Sequence, residues 1–415
     1  MADTLRNWAG NIAYSTDSVL TPRSIAQLQD MVRQSPRLRV LGSRHSFNRI
    51  ADTSGDLVSM RQLDQVIALD ANARTVTVEG GITYGQLCPW LETQGFALHN
   101  LASLPHISVV GAVTTATHGS GNANGNLATS VSGLEIVTAG GDIVSLNRGD
   151  TDFGGAVVGL GALGVVSSVT LDIQPSFEVR QDVFVDLPFT SLVDNVEAIT
   201  GAAYSVSCFT RWQGDTADMV WLKSLADAPR QRGDFFGARP ADHPIHPIAS
   251  IDPTPCTPQL GLPGPWYDRL PHFRMDFMPS VGAELQSEYF VPRADAAAAL
   301  TALKQVQHQF AGPLLVSEIR TQAADDLWLS MNHQRDSLAF HFTWQPDWEA
   351  VRQVLPVIEA ALSPFGVRPH WGKLFTMAPA EVISRYWRFN DFRALAWRYD
   401  PEGKFRNPFV ADYFG

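Results

Sequence analysis

The chain has 415 residues, 45% hydrophobic and 18% charged, with a formal net charge of −11. That length exceeds one ordinary core, so two or three domains are expected, with enough apolar surface to fold without staples. The acidic balance argues against a broad basic face for nucleic acid, though a phosphate-bearing cofactor needs only a local cluster of donors.

In chain order, residues 1–15 are polar and lack the apolar core of a secretion signal. Ser24 is placed to N-cap a helix running to Val32. A short strand at 38–41 then breaks at Gly42 into Gly42-Ser43-Arg44-His45-Ser46-Phe47-Asn48. Such a loop offers backbone N–H groups to an anion and one imidazole to a reactive partner, yet it also reads as a solvated turn. Strands are expected at 57–60, 66–69 and Thr75–Glu79, the last stopped by Gly80 and Gly81. Thr83 caps a helix over 84–94, and Gly95 ends it. Strand-turn-strand material with one helix indicates α+β rather than alternating βαβ.

Residues 102–125 read ASLPHISVVGAVTTATHGSGNANG and contain no Lys, Arg, Asp or Glu. Small residues let backbone approach a ligand closely. Ile107, Val109, Val110 and Val113 favour burial over a disordered linker. A hairpin over 135–146 turns at Gly140-Gly141. Gly159-Leu160-Gly161-Ala162-Leu163-Gly164 matches GxGxxG, but a β-branched run follows where a dinucleotide site needs a helix. A tight turn onto a strand is expected, with a cofactor free to lie against it.

The first domain ends near Gln174-Pro175. Longer aromatic-bearing strands follow at 177–187 and 219–222, with a helix at 194–200. Residues 228–273 are rich in Pro and Gly and include His243, His246, His272 and Trp266. That is too long for a simple loop, so an ordered excursion or a substrate lid is expected. His243 and His246 lack a carboxylate or thiolate partner, so no metal site is expected. Cys88, Cys208 and Cys256 form no CxxC and read as buried thiols. No apolar run reaches the roughly 18 residues of a membrane span, so a soluble, cytoplasmic protein is expected.

Helices over 294–309 and Trp348–Leu362 each precede a segment that carries chemistry. In the strand at 314–321, period two puts Glu318 and Arg320 on one face. In the strand at 338–344, His341 and Thr343 share one face, and Phe340, Phe342 and Trp344 the other. Each pair alone reads as a solvated sheet face. Together they make a polar pocket, joined by Lys373 of Arg368-Pro369-His370-Trp371-Gly372-Lys373. Such a set suits a neutral polyhydroxylated ligand, whose hydroxyls donate to Glu318 and accept from Arg320 or Lys373. Residues 385–397 look helical, and Asp400-Pro401-Glu402-Gly403-Lys404-Phe405 closes the chain in turns.

LGSRHSFN, LASLPHISVVGAVTTATHGSG, GLGALGVVSSVTLDI, RPHWGK and DPEGKF, in this order, resemble the vanillyl-alcohol-oxidase flavoprotein superfamily, and within it the alditol (xylitol) oxidases. GLPGPW at 261–266 and GAELQSEY at 282–289 are similar too. The resemblance covers almost the whole chain. It implies an α+β fold of two domains: an FAD-binding domain (1–176), a substrate (cap) domain with an antiparallel sheet (177–375), and a C-terminal segment (376–415) returning to the first. It implies FAD bound covalently through His45. Leu41, Gly42, Ser43, Arg44, Ser46, Phe47, Ser103, Ser108, Gly111, Thr115, Ala116, Thr117, His118, Gly119, Ser120, Gly164, Val165 and His370 would contact the cofactor. Arg44 stands where the family commonly has a small residue. The implied activity is oxidation of a polyol's terminal CH2OH, with O2 reduced to H2O2, by a monomer that binds neither nucleic acid nor membrane. Arg320 and Lys373 would be catalytic. Ser103, Glu318, Arg320, His341, Thr343 and Lys373 would bind substrate. The competing readings are an aldonolactone oxidase or dehydrogenase, and a flavin-binding protein without turnover.

Overall fold

The computed structural model describes residues 4–277 and 284–414. Gly282 and Ala283, the start of the GAELQSEY segment, lie outside the described residues. The fold is α+β, with two groups of sheets meeting around one cavity.

Val19–Leu20, Asp56–Val58 and Leu38–Val40 form a small parallel sheet with Asp56–Val58 in the middle. Helix Ile25–Gln34 starts where the Ser24 side chain accepts from the Gln27 N–H. Its buried Leu28 and Val32 pack in one cluster with Leu38 and Val58 of the small sheet and with Val137, Val165 and Phe405. The helix thereby joins the small sheet to a five-stranded antiparallel one. That second sheet runs Val66–Asp70, Thr75–Glu79, Val165–Asp172, Val131–Val137, Ile143–Asn147. The expected hairpin begins earlier than 135, at Val131, because buried Val131 still pairs with Leu171 of the neighbouring strand.

The GxGxxG stretch opens into strand Val165–Asp172 and not into a helix. Gly164 sits at φ +142, and a Cβ there would fall 2.4 Å from the Val137 carbonyl oxygen, so only glycine lets these strands close up. The closing segment of the chain returns here. The Leu38 N–H donates to the Lys404 carbonyl at 3.0 Å. The Asn407 side chain donates to the carbonyls of Arg49, Ile50 and Asp52.

The second half is built on a nine-stranded sheet. Its central run is Glu178–Pro188, Thr216–Leu225, Ser205–Thr210, Leu314–Gln322, Ser337–Trp344, Leu285–Pro292, all antiparallel neighbours. One face carries Phe340, Phe342 and Trp344, which share a core with Leu300, Leu303, Leu355 and Ile358 of helices Ala296–Phe310 and Trp348–Leu362. Each such side chain taken out of water contributes about 1.5–3 kcal/mol. That apolar anchoring holds the opposite, polar face of the same strands in place. The helix expected over 385–397 starts later, as Phe389–Tyr399, after a separate short helix Pro379–Ser384. Between them the buried Tyr386 ring packs against Trp371 and under the Arg368 guanidinium, and that packing overrides the local helical preference. Among the described residues, no helix is long and apolar enough to cross a membrane.

Candidate active site

Register builds the site. Glu318 pairs with His341, and His341 pairs with Glu288, so one row across three strands reads carboxylate, imidazole, carboxylate. The row beside it holds Val316, Thr343 and Gln286. On the other side Arg320 lies opposite Ala339, a residue small enough to leave room for a guanidinium. Arg320 Nη2 donates to Glu288 Oε1 at 2.6 Å, and its Nε lies 3.6 Å from Glu318 Oε2. One cation is thus clasped between two carboxylates. Lys373 Nζ donates to Gln286 Oε1 and sits 4.6 Å from the Phe47 ring centroid.

Phe47 belongs to the histidine loop, and the two segments are tied together. The Phe47 N–H donates to the Gly372 carbonyl at 2.8 Å, and the Asn48 side chain donates to the Trp371 and Lys373 carbonyls. The Trp8 ring packs on the His45 ring with centroids 4.5 Å apart. Arg44 has φ +60, a left-handed conformation. Its carbonyl accepts from the Trp8 N–H at 2.8 Å, and its side chain donates to the Arg6 carbonyl. The kink at Arg44 is what presents His45 inward against Trp8.

A cavity of about 970 Å³ runs from this loop to the sheet face, at the upper end of the size for cofactor and ligand sites. Leu41, Gly42, Ser43, Arg44, His45 and Ser46 line it from the loop. Glu318, Arg320, His341, Thr343, His370 and Lys373 line it from the sheet and the segment that follows it. Ser103, Ser108, Gly111, Thr115, Thr117, His118 and Gly164 line the wall between. Phe47, Ala116, Gly119, Ser120 and Val165 do not reach this cavity and stand behind its wall. The 228–273 excursion is ordered and covers the site, with His246, Pro247, Ile248, His272 and Phe273 forming part of the lining. His243 lies away from it, exposed and paired with Asp242.

The middle wall fits a phosphate-bearing cofactor. It is free of side-chain charge, and the buried Ser108 Oγ has no partner within the protein. A Cβ on Gly42 would come 2.9 Å from that hydroxyl, and one on Gly111 2.5 Å. The two glycines and the serine form a cradle that any larger residue would fill.

Electrostatics separate the groups. Burial alone would raise the carboxyls, but Arg320 and His272 hold Glu318 below the usual carboxylate range, and His118 and Arg320 do the same for Glu288. The same carboxylates outweigh burial at Arg320 and push it up. Burial lowers His341 to about 3 and Lys373 to about 8, and holds His45 and His370 well below the imidazole range. His45, His341 and His370 therefore line the cavity as neutral imidazoles, beside one easily deprotonated amine.

His118, Glu288 and His370 place ligand-type atoms within 4.8 Å of one another. Nδ1 of His370 accepts from the Gly372 N–H at 3.0 Å, so its Nε2 carries the proton. Glu288 Oε1 already takes Arg320. The arrangement is that of an ion-paired set centred on Glu288. His118 Nδ1 meets its neighbour's carbonyl at 2.8 Å, and its Nε2 lies 3.1 Å from Glu288, so its ring points at the carboxylate.

Sequence reasoning missed Glu288, Gln286 and His272 as members of the site. Gln286 and Glu288 carried the same period-two signal as Glu318 and Arg320, in a strand whose other face holds Ser287 against Trp344. His272 carried no signal, since only the folded excursion brings its Nε2 to 2.7 Å from Glu318 Oε1.

Residues 16–147 match the FAD binding domain family, and residues 281–413 match the D-arabinono-1,4-lactone oxidase family. The chain is 48% identical to the alditol oxidase of Streptomyces sp. (strain IKD472 / FERM P-14339), over 99% of each chain. It is 29% identical to the L-gulono-1,4-lactone dehydrogenase of Mycobacterium tuberculosis (strain ATCC 25618 / H37Rv), over 100% of each. A solved structure of a solvent-stable cholesterol oxidase aligns with a TM-score of 0.81 at 16% identity, covering 99% of this chain and 97% of that one. At that identity the likeness concerns the fold alone.

Proposed function

The chain belongs to the alditol oxidase family of FAD-dependent oxidoreductases, and from that premise we propose that it oxidises the terminal CH2OH of alditols such as xylitol and sorbitol to the aldose. The observation that carries this reading is the Glu318–His341–Glu288 row with Arg320 and Lys373, facing the same cavity as His45. A chain of hydroxyls needs alternating donors and acceptors, and that face supplies them. An apolar substrate would leave those groups desolvated and unpaired.

FAD, when bound, accepts the hydride from carbon and passes the electrons to O2, which leaves as H2O2. His45 would hold it by a covalent bond to the ring's 8α carbon, and low basicity keeps that imidazole neutral and nucleophilic. Backbone N–H groups of the cavity-lining residues within 42–46 and 108–118, with Ser43 and Ser108, would hold the pyrophosphate without a lysine. Arg320 and Lys373 would sit on either side of the reacting hydroxyl. Arg320, fixed by two carboxylates, stabilises the negative charge that develops on that oxygen. Lys373, held near pH 8 by burial, takes the proton in its amine form. Ser103, Glu318, His341 and Thr343 would bind the remaining hydroxyls.

In this reading residues 1–176 bind FAD, 177–375 bind substrate and 376–415 complete the first domain. The protein works as a cytoplasmic monomer. A second reading, an aldonolactone oxidase or dehydrogenase, is favoured by the match over residues 281–413 and by the M. tuberculosis relative. Peroxide release from the purified yellow protein, measured across a panel of alditols and aldonolactones, decides between them. Turnover on xylitol or sorbitol with none on lactones is expected. Lactone turnover alone overturns the alditol reading, and no anaerobic bleaching of the flavin by any panel member would leave a flavin-binding protein without turnover.

A further inference from the structure

Lys223 is fully buried and does not line the cavity, yet it is wired to the substrate face. It lies on strand Thr216–Leu225, which is separated from the Glu318 strand by Ser205–Thr210. Its Nζ has three acceptors: the Leu270 carbonyl at 2.5 Å, the Pro271 carbonyl at 2.9 Å and His272 Nδ1 at 3.0 Å. An ammonium has three N–H bonds to give, so all three are used. The other ring nitrogen of His272 lies 2.7 Å from Glu318 Oε1. The Phe209 and Trp221 rings stand edge-on to the imidazole at 5.6 and 5.1 Å and fix its plane.

With His272 neutral, one proton order satisfies this chain. Glu318 is ionised beside Arg320, so it must receive a proton donor from His272 Nε2. Neutral His272 then has a bare Nδ1, and Lys223 is the donor that Nδ1 requires. The direction is Lys223 to His272 to Glu318. The result is a carboxylate with Oε1 filled from behind and Oε2 left toward Arg320 and the cavity.

We propose that Lys223 is a positioning residue for substrate: through the His272 tautomer it fixes Glu318 as an acceptor-only carboxylate whose Oε2 takes a polyol hydroxyl remote from the reacting carbon. This rests on the alditol reading. Burial lowers His272 to about 4 and Lys223 to about 7, so the imidazole is the neutral member of the pair and the lysine keeps its third proton up to about pH 7.

The test is a double-mutant cycle on the FAD-loaded enzyme with its best alditol. Lys223→Met is expected to raise KM about tenfold, with kcat changed less than about threefold, as for a lost charged hydrogen bond made equally in ground and transition states. Glu318→Gln should raise KM by a similar factor. The double variant should be no worse than Glu318→Gln alone within about threefold, because both changes break the same contact. A Lys223→Met KM within twofold of wild type, or losses that multiply in the double variant, would overturn the proposal. If Lys223→Met does not fold, His272→Gln and His272→Phe replace it. Glutamine keeps a donor toward Glu318 and should restore most of the KM that phenylalanine loses, while equal losses count against the wiring. If the wild-type enzyme turns over no alditol, the alditol reading fails first and this inference with it, a result distinct from any variant's.

Discussion

The cavity has two walls of opposite construction. The loop wall, 42–46 and 102–118, carries no carboxylate or lysine and lines the cavity with backbone, hydroxyls and glycines. The sheet wall sets Glu288, Glu318, Arg320 and His341 on three adjacent strands, with Lys373 beside them on the segment that follows Arg368–Pro369. The difference matches what each wall would face in the proposed reaction. A permanently charged, permanently bound group can be held by fixed backbone dipoles, which cost no reorganisation. A small neutral substrate that comes and goes needs side chains that pair with one another when it is absent. Arg320 is that pairing device, since it keeps two carboxylates compensated in either case.

Removing the device should have the largest effect. Arg320→Met leaves Glu288 and Glu318 buried without their shared cation. Activity, as kcat/KM on the best alditol, is expected to fall by about 10³-fold or more. Stability is expected to fall by about 3–5 kcal/mol, the cost of breaking a buried ion pair. Denaturant unfolding of the holoenzyme reads the second number. A variant that keeps wild-type stability would mean that the two carboxylates are not held by Arg320.

Lys373 sharpens the same wall. In the proposed mechanism its amine form is the base, so kcat/KM should rise through about pH 8 and level off above it. Lys373→Arg should lose both the limb and most of the activity, because a guanidinium stays protonated. Glu284, Glu288, Glu318 and Arg320 all act on this amine, so the limb reports the set. Linkage gives an independent sign. The folded value of about 8 lies below the ordinary 10.5, so the unfolded chain binds more protons between those pH values. Lys373 therefore makes stability rise with pH across that window, and the rise should vanish in Lys373→Met.

On the loop wall, His45→Ala should separate attachment from binding. Acid precipitation of the wild type should leave the yellow colour in the pellet, and His45→Ala should release it to the supernatant. Colour in the supernatant of the wild type would refute the covalent bond. The charge-free cradle remains in the variant, so it should still bind FAD and keep more activity than Arg320→Met.

Much of this was legible in the chain. Period two placed Glu318 with Arg320 and His341 with Thr343, because a strand with one aromatic face must turn its polar residues the other way. The Gly159–Gly164 match was rejected correctly, since Val165 onward is too β-branched to open a helix. What escaped was whatever depends on register or on an irregular segment. Glu288 joins the site through its pairing with His341, which no local pattern specifies. His272 arrives on an excursion whose path is set by Trp266 burying itself against Phe177, with its indole N–H on Glu92.

Arg44 is the last such case, and it carries the smallest expected effect. The sequence offered no reason for a long cation beside His45. The structure offers a backbone reason: φ +60 at a residue that tolerates it poorly, held by the Trp8 N–H on its carbonyl. The side chain adds one exposed bond to the Arg6 carbonyl, of the kind that contributes little. Arg44→Asn should then be neutral within about 0.5 kcal/mol, or slightly stabilising, because asparagine enters the left-handed region readily. Arg44→Val should cost about 1–2 kcal/mol, since a β-branched residue does not. If the valine variant finds another backbone path, His45 turns away from Trp8, and its flavin should come off in acid as it does from His45→Ala. Equal stability of the two variants, with flavin retained in both, would show that the guanidinium and not the kink sets the loop.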